Sequence, residues 1–237
     1  MTQIANIDAV CFDFYNTLVH HTNGRGRGAM LMDYLETAGL ESDPWQHQVI
    51  YDVFNPIAED YPIDNDPEKM RAFQIRLAEC VFRCLNIKGN EDSLDDHAMD
   101  LWSILGPDSL VTFPETETVL KSIRSAGLRI AVVSNWHCGL IHFCNKLGIG
   151  IFLDHVVASA EVGSNKPDQH IFNEALRLLG TNPERTLHVG DTYNEDITGA
   201  RDAGLQAIHV KRGNNGNEKD DISIRSLEEL LGILGLN

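Results

Sequence analysis

The chain has 237 residues, of which 43% are hydrophobic, and its 35 Asp and Glu against 19 Lys and Arg give a formal net charge of -16. This length allows one well-filled core with a smaller accessory unit, while the acidic balance argues against nucleic acid or an anionic membrane as the main partner. The five cysteines form no Cys-x-x-Cys pair, residues 1–10 do not resemble a signal peptide, and no segment reaches the ~20 apolar residues of a membrane span, so we expect a cytoplasmic protein with free thiols.

The first half of the chain predicts one strand followed by helices. Residues 7–14 (IDAVCFDF) form a short apolar run that ends in an acid, which is typical of a buried strand. Residues 20–28 (HHTNGRGRG) are polar and rich in glycine, so we predict a loop there. Helices are predicted over 29–39, from Asp43-Pro44 to Val53, from Asp66-Pro67 to Leu85, and from Ser93 to about Gly106.

From residue 115 onward, predicted helices and strands alternate, which implies right-handed crossovers and a parallel sheet covered on both faces. We therefore predict an α/β fold with a three-layer, Rossmann-like core over residues 1–19 and 110–237 and an all-helical cap domain inserted at 20–109. Ser226 and Glu229 predict a capping box at the last helix, and 213–221 a loop. The predicted helices cover 115–126, 140–147, 168–179, 196–203 and 226–234, and the predicted strands 129–134, 155–158, 187–190 and 206–210.

Polar side chains follow four of the predicted strands. Asp13 ends the first strand, Ser134 the second and Asp191 the fourth, while Lys166 lies in the loop after the third. Ligands of an open parallel sheet bind outside the C-terminal ends of its strands. A single strand-end acid is often only a helix cap, but capping does not explain four such groups at one end of a sheet. We therefore predict a catalytic site there.

The residue types of this site predict its chemistry. Asp13 can act as a carboxylate nucleophile. If Asp191 converges on Asp13, two anions lie close together, which is costly without a cation, and Mg²⁺ suits carboxylate, water and phosphate oxygens. Asp196 is expected to bind a metal-bound water or to hold Lys166. Lys166, Ser134 and backbone N–H groups after Asp13 are expected to stabilise the charge that develops during the reaction.

These motifs resemble those of the haloacid dehalogenase (HAD) superfamily, in the branch with a helical cap inserted after the first motif. The resemblance spans nearly the whole chain and implies a hydrolase. It implies a metal site made by Asp13, the backbone carbonyl of Tyr15, Asp191 and Asp196. The matching residues are Asp13 as the nucleophile, Ser134 as the second-motif hydroxyl, Lys166 as the third-motif lysine, and Asp191 and Asp196 as the acids of the G-D-x-x-x-x-D motif.

Tyr15 is the main departure from this family pattern. Phosphatases of the family usually carry a second Asp there, which protonates the leaving group and then activates water. A tyrosine with a pKa near ~10 is a poor general base at neutral pH. Either the substrate has a leaving group that departs unprotonated, such as an acyl phosphate, or the cap supplies a proton donor. His20 and His21 are candidates for that donor, although exposed loop histidines are the simpler interpretation.

Further residues are predicted to contact the substrate. Asn16 and Thr17 follow the nucleophile, and Asn135 follows Ser134. Arg25 and Arg27, within residues 24–28 (GRGRG), are candidates to clamp a remote anionic part of the substrate, with the glycines as hinges. A flexible basic loop that contacts nothing is an equally good interpretation of this segment.

Tyr15 also matches the metal-independent 2-haloacid dehalogenases of the superfamily. Those enzymes carry a cap arginine where this chain has Trp45-Gln46, a tyrosine where it has Phe172, and a serine where it has Asp191. Since three markers are missing and the metal acids are present, we favour a Mg²⁺-dependent phosphatase that acts on a small phosphorylated metabolite through an aspartyl-phosphate intermediate. The alternatives are a dehalogenase with the same nucleophile and a catalytically weak binding protein. We expect a monomer or homodimer.

Overall fold

The computed structural model describes residues 4, 6–22, 24–62, 66–88, 94–212 and 222–236. The predicted helix start at Ser93 and the predicted loop at 213–221 lie outside these residues. The chain divides into two compact units. Unit 1 comprises Met1–His20, Thr112–Trp136 and Gly148–Asn237, and unit 2 comprises His21–Val111 and His137–Leu147.

The strands form a large parallel sheet and a small ribbon. In chain order they are β1 (Ala9–Phe12), β2 (Val19–His21), β3 (Leu110–Thr112), β4 (Arg129–Ser134), β5 (His155–Ala158), β6 (Thr186–Gly190), β7 (Gln206–Val210) and β8 (Ser223–Ile224). Unit 1 contains a six-stranded sheet of order β5-β4-β1-β6-β7-β8, in which every neighbouring pair is parallel. This confirms the predicted α/β fold with a parallel sheet. β2 and β3 form a separate two-stranded sheet.

Ten α-helices are described, in addition to short 3-10 turns and a π-helical turn, Tyr193–Thr198. They are α1 (Arg27–Thr37), α2 (Gln48–Phe54), α3 (Pro67–Cys84), α4 (Leu94–Leu105), α5 (Thr116–Ser125), α6 (Leu140–Lys146), α7 (Ser159–Val162), α8 (Gln169–Leu179), α9 (Gly199–Asp202) and α10 (Glu228–Leu234). The predicted capping box begins α10, because the Ser226 hydroxyl accepts from the Glu228 amide while the Glu229 carboxylate accepts from the Ser226 amide.

The core of unit 1 lies between the sheet and α8. Side chains alternate across a strand, so Cys11 of β1 and Val133 of β4 share one face of the sheet. They pack there against Ile171 and Phe172 of α8, all fully buried. Burying one such apolar side chain contributes about 1.5–3 kcal/mol. α5 also contacts β4, and none of the residues of α5 belongs to this cluster. The sheet is thereby held rigid enough to fix the side chains that follow its strands.

Unit 2 is helical and contains α1, α2, α3, α4 and α6. Asp66 caps α3 by accepting from the amides of Glu68 and Lys69. The helix predicted from Pro44 begins only at Gln48, because the end of α3 holds Asp43: its amide donates to the Leu85 carbonyl and its carboxylate accepts from Asn86.

Two segments differ from the sequence-based expectations. Part of the predicted loop at 20–28 is regular secondary structure instead, since His20 and His21 belong to β2 and Arg27 begins α1. Segment His137–Leu147, assigned to the core by the predicted division, groups with unit 2. Within unit 2, the Phe143 ring lies 5.9 Å from that of Phe54, a tertiary contact that local sequence does not reveal.

Two expectations from composition can be compared with the structure. Among the residues described, no helix is long and apolar enough to cross a membrane. The cysteines are free, as the sequence predicts, and Cys11 and Cys144 are buried.

Candidate active site

Asp13 follows β1 directly, and β1 pairs with β4 on one side and β6 on the other. Its amide donates to the Val189 carbonyl at 2.9 Å, which extends the pairing with β6 by one residue. The Asp13 Oδ1 atom accepts from the Ser134 hydroxyl at 2.9 Å and from the Lys166 ammonium at 2.7 Å. Burial raises the pKa of the Asp13 carboxyl, and Asp196 adds to this effect, while Lys166 and Ser134 oppose it.

Lys166 lies between two carboxylates. Its Nζ atom donates to Asp13 Oδ1 at 2.7 Å and to Asp196 Oδ1 at 2.5 Å, with its side chain only 1% exposed. Burial alone would lower the pKa of this lysine, but the two acids outweigh burial and raise it. Lys166 is therefore charged at neutral pH and holds the Asp13 carboxylate through an ion pair.

Asp196 is anchored from three sides. Besides Lys166, it accepts from the Thr192 amide at 2.9 Å and lies 3.0 Å from Nε2 of the buried His188. Burial alone would raise the pKa of Asp196, but Lys166 and His188 outweigh burial and lower it. Gly190 makes this packing possible, because a Cβ atom there would lie 2.2 Å from Asp196 Cγ. These contacts favour holding Lys166 as the role of Asp196.

Asp191 completes a cluster of three acids. One carboxylate oxygen from each of Asp13, Asp191 and Asp196 lies within 4.8 Å of the others. Burial raises the pKa of Asp191 to about 7, with further contributions from the charges of Asp13 and Asp196, while a hydrogen bond from the Asn16 side chain opposes the shift. Lys166 pairs with two of these acids, and the cluster of three has the charge and the oxygen donors that a divalent cation requires.

Asn135 contacts the chain around Lys166. Its side-chain amide donates to the Lys166 carbonyl at 3.0 Å and accepts from the Lys166 amide at 2.7 Å. The same Nδ2 atom donates to Glu195 at 3.0 Å. Asn135 was predicted to bind substrate, and these contacts give it a further part in positioning Lys166.

The structure thus brings together Asp13, Ser134, Lys166, Asp191 and Asp196, with Asn16 bonded to Asp191. Thr17 is fully buried, Tyr15 is half-buried, and both belong to unit 1.

Two predicted substrate-binding residues lie in unit 2. Arg25 is exposed and pairs with Asp33, whereas Arg27 is buried with its guanidinium 5.0 Å from the Phe143 ring centroid. Their contact with substrate stays a prediction. Of the candidate proton donors, His20 packs on Phe113 in unit 1, and His21 lies near the Ser109 carbonyl in unit 2.

Three residues around the site were not predicted. His188 carries a weak signal, because a histidine inside the apolar strand sequence LHVG needs a polar partner. From the sequence, Glu195, next to Asp196, is equally well interpreted as a solvent-exposed helix residue or as a site residue. Arg212 has no local signal, since it contacts Asn16 and Thr17, which precede it by 196 and 195 residues.

Comparison with known proteins identifies the family. A family model described as haloacid dehalogenase-like hydrolase matches residues 7–204, which include every residue of the acid cluster. The chain belongs to this family. The resemblance drawn from the motifs is thereby confirmed for the family and for the fold.

Among curated relatives, the chain is similar to glyceraldehyde 3-phosphate phosphatase from Methanothermobacter thermautotrophicus. The two are 43% identical over 122 residues, which cover 49% of this chain and 52% of that phosphatase. The chain spans about half the length of the first curated relatives that it matches.

Solved structures of the family share the fold over the whole chain. A HAD phosphatase from Thermococcus onnurineus matches with a TM-score of 0.63 and 22% identity, covering 97% of this chain and 98% of its own. A 2-haloacid dehalogenase from Pseudomonas syringae pv. Tomato DC3000 matches with a TM-score of 0.61 and 24% identity, with the same coverage of 97% and 98%. Because both reactions occur on this fold, the residues of the site must decide between them.

Proposed function

We propose that this protein is a Mg²⁺-dependent phosphatase that hydrolyses a small phosphorylated metabolite through a phosphorylated Asp13. The observation that carries the proposal is the cluster of three carboxylates within 4.8 Å of one another, in which Asp191 has its pKa raised to about 7. A haloacid or chloride ion would be repelled by these acids, whereas a bound divalent cation would neutralise them and attract a phosphate. The phosphatase relative supports the same substrate class.

The residues of the site suit the binding of Mg²⁺. Asp13, Asp191 and the backbone carbonyl of Tyr15 would hold the ion, with Asp196 close by. Mg²⁺, when bound, supplies positive charge that stabilises the phosphoryl oxygens.

The protein's own groups then perform two displacements. An oxygen of Asp13 attacks phosphorus, an acyl-phosphate bond forms, and the bond to the leaving-group oxygen breaks. Lys166 and Ser134 keep Asp13 oriented and stabilise the negative charge of the transferring group. Water then attacks phosphorus of the acyl phosphate, which releases inorganic phosphate and regenerates the Asp13 carboxylate.

The leaving group is the open point of this mechanism, because Tyr15 replaces the usual acid. The simplest substrate is therefore one whose leaving group departs unprotonated, such as an acyl phosphate or a phosphoanhydride. Tyr15 also motivates the second candidate, a metal-independent 2-haloacid dehalogenase that uses the same nucleophile. We further propose a cytoplasmic location, supported by the free thiols.

One experiment separates these functions. The protein is incubated with acyl phosphates, phosphate monoesters and 2-haloacids, each with Mg²⁺ and with EDTA, and released phosphate and halide are measured. We expect phosphate release that requires Mg²⁺ and is lost in Asp13→Asn, since an amide cannot act as the nucleophile. Halide release in EDTA would favour the dehalogenase, and release of neither product would favour a binding protein.

A further inference from the structure

Arg212 directly follows Lys211 after β7, far along the sequence from the nucleophile, yet it binds the loop that follows Asp13. Its Nε atom donates to the Asn16 carbonyl at 3.1 Å and its Nη2 atom to the Thr17 carbonyl at 2.6 Å. Its Nη1 atom donates to the Glu115 carboxylate at 2.7 Å. One guanidinium therefore joins two consecutive carbonyls to an acid at the start of α5, and all of these residues belong to unit 1.

The guanidinium itself is firmly held. Its carbon atom lies 3.3 Å from the centroid of the Phe113 ring, which is a close cation–π contact, and the Arg212 side chain is 16% exposed. Burial alone would raise the pKa of Glu115, but the hydrogen bond and charge of Arg212 together with backbone hydrogen bonds outweigh burial and lower it. An arginine fixed on an aromatic face and paired with an acid loses little further freedom on binding two carbonyls.

The loop that Arg212 binds has an uncommon backbone conformation. Asn16 has φ +59°, in the left-handed region that few residues other than glycine and asparagine adopt. Such a conformation persists when surrounding contacts determine it. Here the Asn16 amide donates to the Val19 carbonyl at 2.7 Å, and the Asn16 carbonyl accepts from Arg212.

We propose that Arg212 is a positioning residue of the active site. In a trans peptide, the C=O and N–H groups point in opposite directions. By holding the Asn16 carbonyl, Arg212 therefore directs the Thr17 N–H away from itself, and it keeps the Asn16 side chain on Asp191. This inference rests on the proposed function, in which N–H groups of this loop stabilise the transferring phosphoryl group.

The test compares Arg212→Ala and Arg212→Lys with a matched control. Arg185 also forms an ion pair in unit 1, but with Asp8, which precedes β1 at its opposite end. Arg185→Ala therefore removes an arginine–aspartate pair without touching the loop. For each variant, the melting temperature, kcat and KM for phosphate hydrolysis, and hydrogen exchange of the amides of residues 14–19 are measured.

We expect Arg212→Ala to exchange these amides faster and to lose about tenfold to a hundredfold in kcat, because misplacement of a site by about 1 Å costs that much. Arg212→Lys should restore part of the slow exchange and part of kcat. The lysine ammonium keeps the charge but does not reproduce the planar guanidinium, which binds two carbonyls at once. Arg185→Ala should lower the melting temperature but should change neither the exchange of these amides nor kcat.

Several outcomes would overturn the inference. One is an exchange rate or kcat of Arg212→Ala equal to that of Arg185→Ala. If Arg212→Ala does not fold, the test uses Arg212→Lys instead. In that case, exchange and kcat of Arg212→Lys equal to those of the wild-type protein would overturn the inference. If the wild-type protein releases no phosphate, the proposed function fails, and faster exchange in the Arg212 variants alone would still support positioning of the loop.

Discussion

We expect Asp191 to make the response to Mg²⁺ depend on pH. Burial raises the pKa of its carboxyl to about 7, well above the value of an exposed aspartate. As the pH rises toward 7, the unfolded chain has already released this proton while the folded protein retains it, so the cation-free protein loses stability over that range. A bound divalent cation replaces the proton and removes that cost. We expect Mg²⁺ to raise the melting temperature more at about pH 8 than at about pH 6.

Asp191→Asn supplies the control for this prediction. The amide does not titrate, so the additional stabilisation by Mg²⁺ at the higher pH should disappear. Asp154→Asn removes an acid of unit 1 that pairs with Arg124, and should retain the wild-type response. An equal Mg²⁺ effect at both pH values in the wild-type protein would contradict the assignment of Asp191.

Tyr15 gives a prediction about the leaving group. Tyr15→Asp introduces an acid at the position where phosphatases of the family carry one, and we expect turnover of an alkyl phosphate to rise by about 10²–10⁴-fold. Tyr15→Asn introduces a side chain of nearly the same shape as that of Tyr15→Asp, but without an acid, and should show no such gain. Steady-state hydrolysis of one alkyl phosphate and one acyl phosphate measures the difference. Equal turnover by the two variants would show that the missing acid does not limit the reaction.

The central residues of the site could be predicted because each follows a strand. Asp13, Ser134 and Asp191 end apolar runs, and the strands of a parallel sheet bring such residues to one edge. His188 and Arg212 could not be identified in this way. His188 matters because it contacts Asp196, and Arg212 because it binds the Asn16 carbonyl. Neither contact leaves a periodic signal in the sequence.

At the scale of elements, β6 and the π-helical turn Tyr193–Thr198 pack through Gly190. A Cβ atom at Gly190 would lie 2.2 Å from Asp196 Cγ and 2.4 Å from its Oδ2 atom, so Gly190→Ala must displace Asp196 from Lys166. We expect a loss of about 1–3 kcal/mol in the free energy of unfolding, together with a lower kcat. Urea unfolding and phosphate release measure the two effects.

Gly26→Ala is the control for this change. Among the described residues, and apart from the two chain neighbours, no heavy atom lies within 4 Å of a Cβ atom at Gly26, and its φ of -70° suits any residue. The substitution should therefore leave both quantities near the wild-type values. Wild-type stability and activity in Gly190→Ala would show that Asp196 does not need its present position.

Elements with clear periodicity were predicted well, and short ones were not. The boundaries of β4, β5 and β7 agree with the sequence prediction because each is an apolar run between turns. β2, β3 and β8 have three, three and two residues, too few to show alternation. They exist because of hydrogen bonds to distant segments, which local sequence does not encode.

At the scale of the whole molecule, unit 2 is made of two separate segments. Leu140, Phe143 and Cys144 of α6 are buried, and Phe143 contacts Phe54 within unit 2. The Thr22 amide donates to the Ser109 carbonyl at 3.0 Å, so a short linker can join these residues after deletion of 23–108. We expect the shortened protein to aggregate, because the deletion exposes the apolar side of α6.

The same deletion with Leu140→Gln and Phe143→Gln is the control. These substitutions make two of the buried α6 side chains polar and should restore a soluble species, which size-exclusion chromatography with light scattering detects. If the deletion alone gives an equally soluble species, α6 does not depend on the rest of unit 2.

The buried ion pairs of Lys166 also affect how the whole protein reacts with amine-directed reagents. Acylation requires an accessible, deprotonated amine, whereas the Lys166 side chain is 1% exposed and its pKa is raised by two carboxylates. Lys146, at 56% exposure, lies open to the same reagent. Peptide mass spectrometry after brief labelling should find Lys146 modified and Lys166 unmodified in folded molecules. The yield at Lys166 then reports the fraction of a preparation in which Asp13 has lost its counter-ion.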